Sequence, residues 1–416
     1  MARTAILEYF TSPGNTLLFV VKPGWETPAL VALQRSDGTP LGSTELTACG
    51  DRLLADFHGL PADWSRSPRA ARYRAALELP PRVSALKRLQ PLLEANLAIP
   101  AFRYAMDYWE QLSDALLPEP IRPLLEDCDL LCIIPHGPLH TLPFAALRWD
   151  SGQYLGERFG LCYAPGAGAL RHCHGRNRAR ADARHRPRHM LVAAVAAADD
   201  GDRDALEAEG ERMQQTFAGM RAPAVTVLRG AASRDGAAPA SKAQVLASLA
   251  GSDVLHFACH GIFGLDVPGG AALDSGLVLS NGDSVPRLVD VARAAPSARA
   301  DWFLTAREIL GLSLHTDLVA LRACSSGRVE ADPGDELFGL LRAFLYAGAP
   351  SVIASLWNVS KNSSQLLLQE FYKAWLGPET PVPKAAALQR AQEVVRQAGY
   401  THPYHWSAFA LVGDWL

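Results

Sequence analysis

Short, wholly apolar runs alternate with amphipathic stretches along most of this chain, and clusters of Gly, Pro, Asn and Ser separate them. Residues 5–10 and 16–21 flank the turn formers Ser12-Pro-Gly-Asn15, which predicts a β-hairpin, and residues 29–33 offer a third strand. From about 51 to 126 the pattern turns helical, with 72–79 and 102–117 as the clearest segments. Residues 130–134 and 160–164 read as strands covered on both faces. Beyond 189, strands at 190–197, 224–228, 253–258, 318–323, 351–356 and 408–412 take turns with helices. Those helices are expected at 206–220, 241–249, 305–310, 336–346, 364–376 and 384–397, with a small hairpin around 277–285. Such alternation predicts an α/β fold, a mainly parallel sheet with helices on both faces.

Composition narrows the class. With 416 residues, 49% hydrophobic and 20% charged, the chain can bury a large core and is expected to form two or three domains or one two-part unit. A formal charge of -3 argues against nucleic acid as the main partner. The chain holds no apolar run long enough to span a membrane, and Glu8 interrupts the N-terminus too early for a signal peptide. Seven cysteines without paired spacing point to a reducing compartment, hence a cytoplasmic location. Residues 171–189 carry seven arginines and four histidines between two apolar strands, which reads as a solvated loop dividing residues 1–170 from 190–416. His172-Cys-His174 within it lacks a second pair of ligands, so no metal is expected.

Ligands of an open α/β sheet bind beyond the carboxyl ends of its strands. Two strands of the second half end there on reactive residues: His260-Gly261 and Cys324. Neighbouring strands lie ~5 Å apart, so the two side chains can come within reach, and an imidazole shifts a nearby thiol toward the nucleophilic thiolate. The N–H groups of Gly261 and Cys324 can face a developing oxyanion. The constellation fits acyl transfer through a thioester. Against it stands the ordinary fate of cysteine, which is burial; Cys259 and His256 read as core, and Cys49, Cys128, Cys132, Cys162 and Cys173 as structural. A dinucleotide fingerprint at Gly166-Ala-Gly168 fails because Arg171 holds the third glycine position. A zinc peptidase motif at His256-x-x-x-His260 fails because the segment is a strand with Phe257 where a Glu is needed.

Four ordered stretches resemble the CHAT domain, a caspase-like group of cysteine peptidases related to caspases and separases. They are Asp253-Val-Leu-His-Phe-Ala-Cys-His-Gly261, Leu318-Val-Ala-Leu-Arg-Ala-Cys-Ser-Ser-Gly327, the segment 339–359, and His402-Pro-Tyr-His-Trp-Ser-Ala-Phe409 followed by Gly413-Asp414-Trp415. Upstream, 135–147, 154–158 and the opening Leu7-Glu-Tyr-Phe look like the family's first lobe. The resemblance implies His260 as base, Cys324 as nucleophile and the Gly261 amide in the oxyanion site. It also implies a peptide cleft beside the strand that runs into Ser355 and Trp357, although Trp357 fits equally well as a packed aromatic. Ser325-Ser326 and Ser360-Lys361 depart from the family's acidic pattern, so the side-chain preference of the cleft stays open. Asp335 can favour a basic substrate residue or serve only as the first acid of a helix.

The resemblance implies two lobes, with 1–170 an N-terminal pseudo-protease support and 190–416 the catalytic lobe. The tetratricopeptide repeats that many relatives carry are not found. The expected function is a cysteine endopeptidase that needs no cofactor and cleaves a protein partner. By analogy the setting is bacterial defence or programmed death, with a gasdermin-like pore former as substrate and a separate activator. The competing expectation is a catalytically silent binding scaffold.

Overall fold

A strand apolar on both faces needs cover above and below. In the computed structural model, residues 3–49, 103–150, 152–182, 187–198, 203–218, 223–230, 238–262, 272–287, 290, 294, 296–325, 335–357, 361–377 and 382–416 are described, and they supply that cover. The helix expected at 72–79 lies outside them. The first strands are β1 (Thr4–Thr11), β2 (Thr16–Val21), β3 (Ala29–Ala32), β4 (Leu130–Ile134) and β5 (Gly160–Tyr163). Then come β6 (His189–Ala194), β7 (Ala224–Arg229), β8 (Val254–Ile262), β9 (Gly276–Val278) and β10 (Phe303–Thr305). The last are β11 (Leu318–Ser325), β12 (Ser351–Ser355) and β13 (Phe409–Gly413).

All of them join one sheet in the order β10-β9-β8-β11-β12-β13-β5-β4-β1-β2-β3, with β6 on β8 and β7 on β6. Strands β7, β6, β8, β11 and β12 run parallel to one another. β13 is antiparallel to β12 yet parallel to β5, so β5, β4 and β1 form a second parallel block running the opposite way. The β1–β2 hairpin and β3 extend that block antiparallel, as the turn at Ser12–Asn15 predicted.

The helices are α1 (Arg103–Leu116), α2 (Arg122–Leu125), α3 (Leu155–Arg158), α4 (Ala167–Asp182), α5 (Arg203–Phe217) and α6 (Lys242–Leu249). They continue with α7 (Ala306–Leu310), α8 (Asp335–Ala347), α9 (Lys361–Leu376), α10 (Lys384–Gln397) and α11 (Pro403–Trp406). Side chains alternate along β8, and this sorts the helices onto two faces. His256 meets Tyr372 of α9 and Glu209 of α5 on one face, whereas Phe257 packs at a tilt against Phe344 of α8 on the other, with ring centroids 5.9 Å apart.

Three expectations change. The first twelve residues of the arginine-rich stretch 171–189 are helix and not loop: α4 runs through them to Asp182. Charge hid the few anchors that suffice. Leu170 and Cys173 are buried, and His174 Nδ1 lies 3.0 Å from Asp414 Oδ2, its ring stacked on Trp415, while Arg171 and Arg178 face solvent. Burial pushes the Cys173 thiol up to about 11, so it is a packing group. Second, no hairpin forms at 277–285. β9 pairs instead with β10, read from sequence as the approach to a helix, because Thr305 both ends the strand and caps α7 by accepting from the Glu308 N–H. Third, two strands run further than expected: β8 continues through Ile262 and β11 through Ser325. His260 and Cys324 therefore lie inside a ladder.

Candidate active site

Those extensions set the site's geometry. β8 and β11 pair in parallel, with His260 opposite Cys324 and Gly261 opposite Ser325. Strands in a ladder lie ~4.8 Å apart and paired residues share a face, so the two positions stand side by side on the α5/α9 face. Of the nine residues in β8, His260 alone is not buried. The outer edge of β8 also changes partner here, from β6 as far as Ala258 to β9 from Gly261 onward. Cys259 and His260 occupy the gap between them.

Beneath the pair, the same face alternates large and small. Ala320 stands opposite His256 and Ala258 opposite Arg322, one pair step below the His260–Cys324 row. The alanines leave space for a buried polar ring. His256 Nε2 lies 3.0 Å from Glu209 Oε1 and its Nδ1 lies 3.0 Å from the Tyr372 hydroxyl. The other oxygen of Glu209 pairs with the Arg322 guanidinium, whose Nε–H donates to Ser364 Oγ at 3.1 Å. Since Tyr372 and Ser364 both belong to α9, the ring closes through α9, β8, α5 and β11.

An ionised Glu209 only accepts, so the His256 proton sits on Nε2 and Nδ1 accepts from Tyr372. Burial alone would push the Glu209 carboxyl up, but the Arg322 charge and the His256 hydrogen bond outweigh it and hold that carboxyl below the ordinary range. Tyr372 is raised well above its ordinary value by burial and by the Glu209 charge, so it remains a donor.

The sequence reading placed His256 in the core, and it is 1% exposed. It missed Glu209, Arg322, Tyr372 and Ser364. Two signals were present. Glu209 falls on the stripe Leu206–Met213–Phe217 that α5 buries, and Arg322 is the one charge within the apolar strand 318–323.

The other predicted residues lie as follows. Gly261 is a ladder residue, paired with Ser325 on one side and Leu277 on the other. Ser355 ends β12, is 1% exposed, and its hydroxyl has no hydrogen-bond partner among the described residues. Trp357 is buried and its indole N–H donates to the Tyr404 carbonyl at 3.1 Å, so of its two expected roles it fills the packed one. Asp335 opens α8, the terminal position expected of a helix acid. Cys128, Cys132, Cys162, Cys173 and Cys259 are buried, and Cys49 is half-buried. Among the described residues, no group of three His, Cys, Asp or Glu is placed to hold a metal ion, and no helix is long and apolar enough to cross a membrane. A cavity of about 570 Å³ between α3 and α10, lined by Arg148, Tyr154, Glu157, Glu393, Arg396 and His402, includes none of the predicted site residues.

The sheet order and the paired strand ends define an α/β protein of caspase-like fold, and two structures of the Saccharomyces cerevisiae separase–securin complex bear this out. They superpose with TM-scores of 0.51 and 0.54 at 12% identity, covering 99% of this chain and 30% of theirs. The CHAT domain family model matches residues 107–414, and the chain belongs to that family. Tetratricopeptide repeat protein 28 from Homo sapiens is 28% identical over 305 residues, and that from Mus musculus 29% over 308. Each alignment covers 68% of this chain, which spans only 12% of those proteins' length.

Proposed function

We propose that the chain is a cysteine endopeptidase in which Cys324 is the nucleophile and His260 the base. One observation carries the reading: a parallel register that sets His260 opposite Cys324, at the one position of β8 that is not buried. The thiolate attacks a peptide carbonyl, His260 delivers the thiol proton to the departing amine, and the remaining acyl group is held as a thioester. Water then adds to the thioester, giving up a proton to His260, and the thiol is regenerated. The Gly261 amide polarises the carbonyl and Ser355 borders the cleft. Residues 1–170 act as a support without chemistry of their own, and 190–416 carry the site.

The substrate is a separate protein, and a gasdermin-like pore former or another effector encoded nearby is the class to try first. N-terminal peptide profiling of a co-expressed proteome tests this, with wild type compared against Cys324→Ala. New termini found with wild type alone support the peptidase. Identical profiles from two folded proteins, together with no labelling of Cys324 by a thiol-directed peptide probe, replace it with the binding scaffold.

A further inference from the structure

The polar ring under the His260–Cys324 row is more than packing needs. A carboxylate at 0% exposure and an arginine at 7% carry a heavy desolvation cost that apolar residues of the same volume would avoid. The ring's position suggests what that cost supports. Arg322 is two residues before Cys324 on the same face, which puts their Cα atoms ~7 Å apart along the strand. Arg322 and Glu209 are themselves buried, where charges are screened less than in water, so a charge at that range is felt. Among the described residues, the charged and titratable groups near Arg322 and Glu209 include His256 and His260 from β8, Arg212 from α5 and Tyr372 from α9. Glu209 compensates Arg322 almost in contact.

We propose that Arg322 and Glu209 are positioning residues that set the ionisation of Cys324, Arg322 by favouring the thiolate and Glu209 by limiting how much of that charge reaches the sulfur. The inference rests on Cys324 being the nucleophile. His256 and Ser364 hold the two charges in place, His256 by its bond to Glu209 and Ser364 by accepting from Arg322, while Tyr372 fixes the His256 ring. A purely structural ring and an electrostatic one differ in sign. Loss of either member of a structural ring loosens the site in the same way, whereas the two charges of an electrostatic pair act in opposite directions.

The test is the pH dependence of Cys324 alkylation by iodoacetamide, followed at that residue by peptide mass spectrometry on the full chain, which needs no substrate. Glu209→Gln, close to isosteric, is expected to move the midpoint down by about one pH unit, and Arg322→Met to move it up by a similar amount. The double variant Glu209→Gln/Arg322→Met returns it to the wild-type value. Either single variant that folds decides the question; if neither does, Glu209→Asp, which draws the carboxylate back by one methylene, is expected to lower the midpoint by less. Midpoints unchanged in folded variants, or shifted in the same direction by both, overturn the inference. A wild-type midpoint at the ordinary thiol value of ~8.5 overturns the nucleophile reading instead, so the two failures are told apart.

Discussion

Gly413 ends β13 with φ +100°, and a Cβ built there would lie 2.3 Å from the Pro350 carbonyl oxygen and 3.1 Å from Leu345 Cδ2. That carbonyl accepts the Asp414 N–H at 2.8 Å, while Asp414 receives His174 of α4 and its own carbonyl accepts the Ser351 hydroxyl at 2.6 Å. Gly413→Ala therefore strikes a knot joining β12, β13 and α4. Gly399, just past the end of α10, is the control, because its φ is +96° and nothing lies within 4 Å of its added Cβ. Holding a non-glycine residue in the left-handed region costs roughly 1–2 kcal/mol at either site. Only at Gly413 does the methyl also meet backbone that cannot yield cheaply, which adds about 1–3 kcal/mol. The relief that Ala brings by restricting the unfolded chain is common to both and cancels. Urea unfolding followed by far-ultraviolet circular dichroism is expected to show Gly399→Ala down by about 1 kcal/mol and Gly413→Ala by about 2–4 kcal/mol. Losses equal to within about 0.5 kcal/mol, the scatter between independent sites, would refute the steric argument.

Other outcomes follow from the buried polar groups. Trp357→Phe removes the buried hydrogen bond from the indole N–H to the Tyr404 carbonyl, so thermal unfolding should report a loss of about 1–3 kcal/mol. The His405 imidazole is held below its ordinary 6.5 by burial, so the folded protein binds its proton less readily than the unfolded chain. Its contribution is present above pH 6.5 and is lost as the pH falls; urea midpoints should decline below that value, and His405→Gln should flatten the decline. Glu209 is also depressed, with the same sign, and adds a second loss below its ordinary 4.5, absent in Glu209→Gln. His174→Ala releases α4 from Asp414, and limited trypsin digestion should then cut within the arginine-rich helix faster than in wild type.

Much of the α/β core could be read from local pattern because parallel strands buried on both faces leave an unbroken apolar run. Leu130–Ile134 and Ser351–Ser355 are buried at every position and were delimited almost to the residue. The pairing of His260 with Cys324 was legible through the resemblance to the CHAT domain, because strand order is not written in local pattern. Side-chain partners across the sheet were not legible. Glu209 and Arg322 are 113 positions apart, and nothing local in either segment announces the other. The helix α4 was missed because its stability comes from Leu170, Cys173 and His174 docking on the sheet, a tertiary effect that outweighs an unpromising run of arginines. β9 and β10 have three residues each, too few for any period to show.

The strand that joins the two oppositely running blocks is β13, which follows every other described strand in the chain. During synthesis the ribosome delivers β5 and β12 long before the segment that bridges them. A nascent chain arrested ahead of residue 409 thus holds two unfinished sheets, each with an apolar flank open to pairing with the wrong partner. Shielding by a chaperone would matter most in that interval, and refolding after full unfolding should be limited by capture of this single bridging segment.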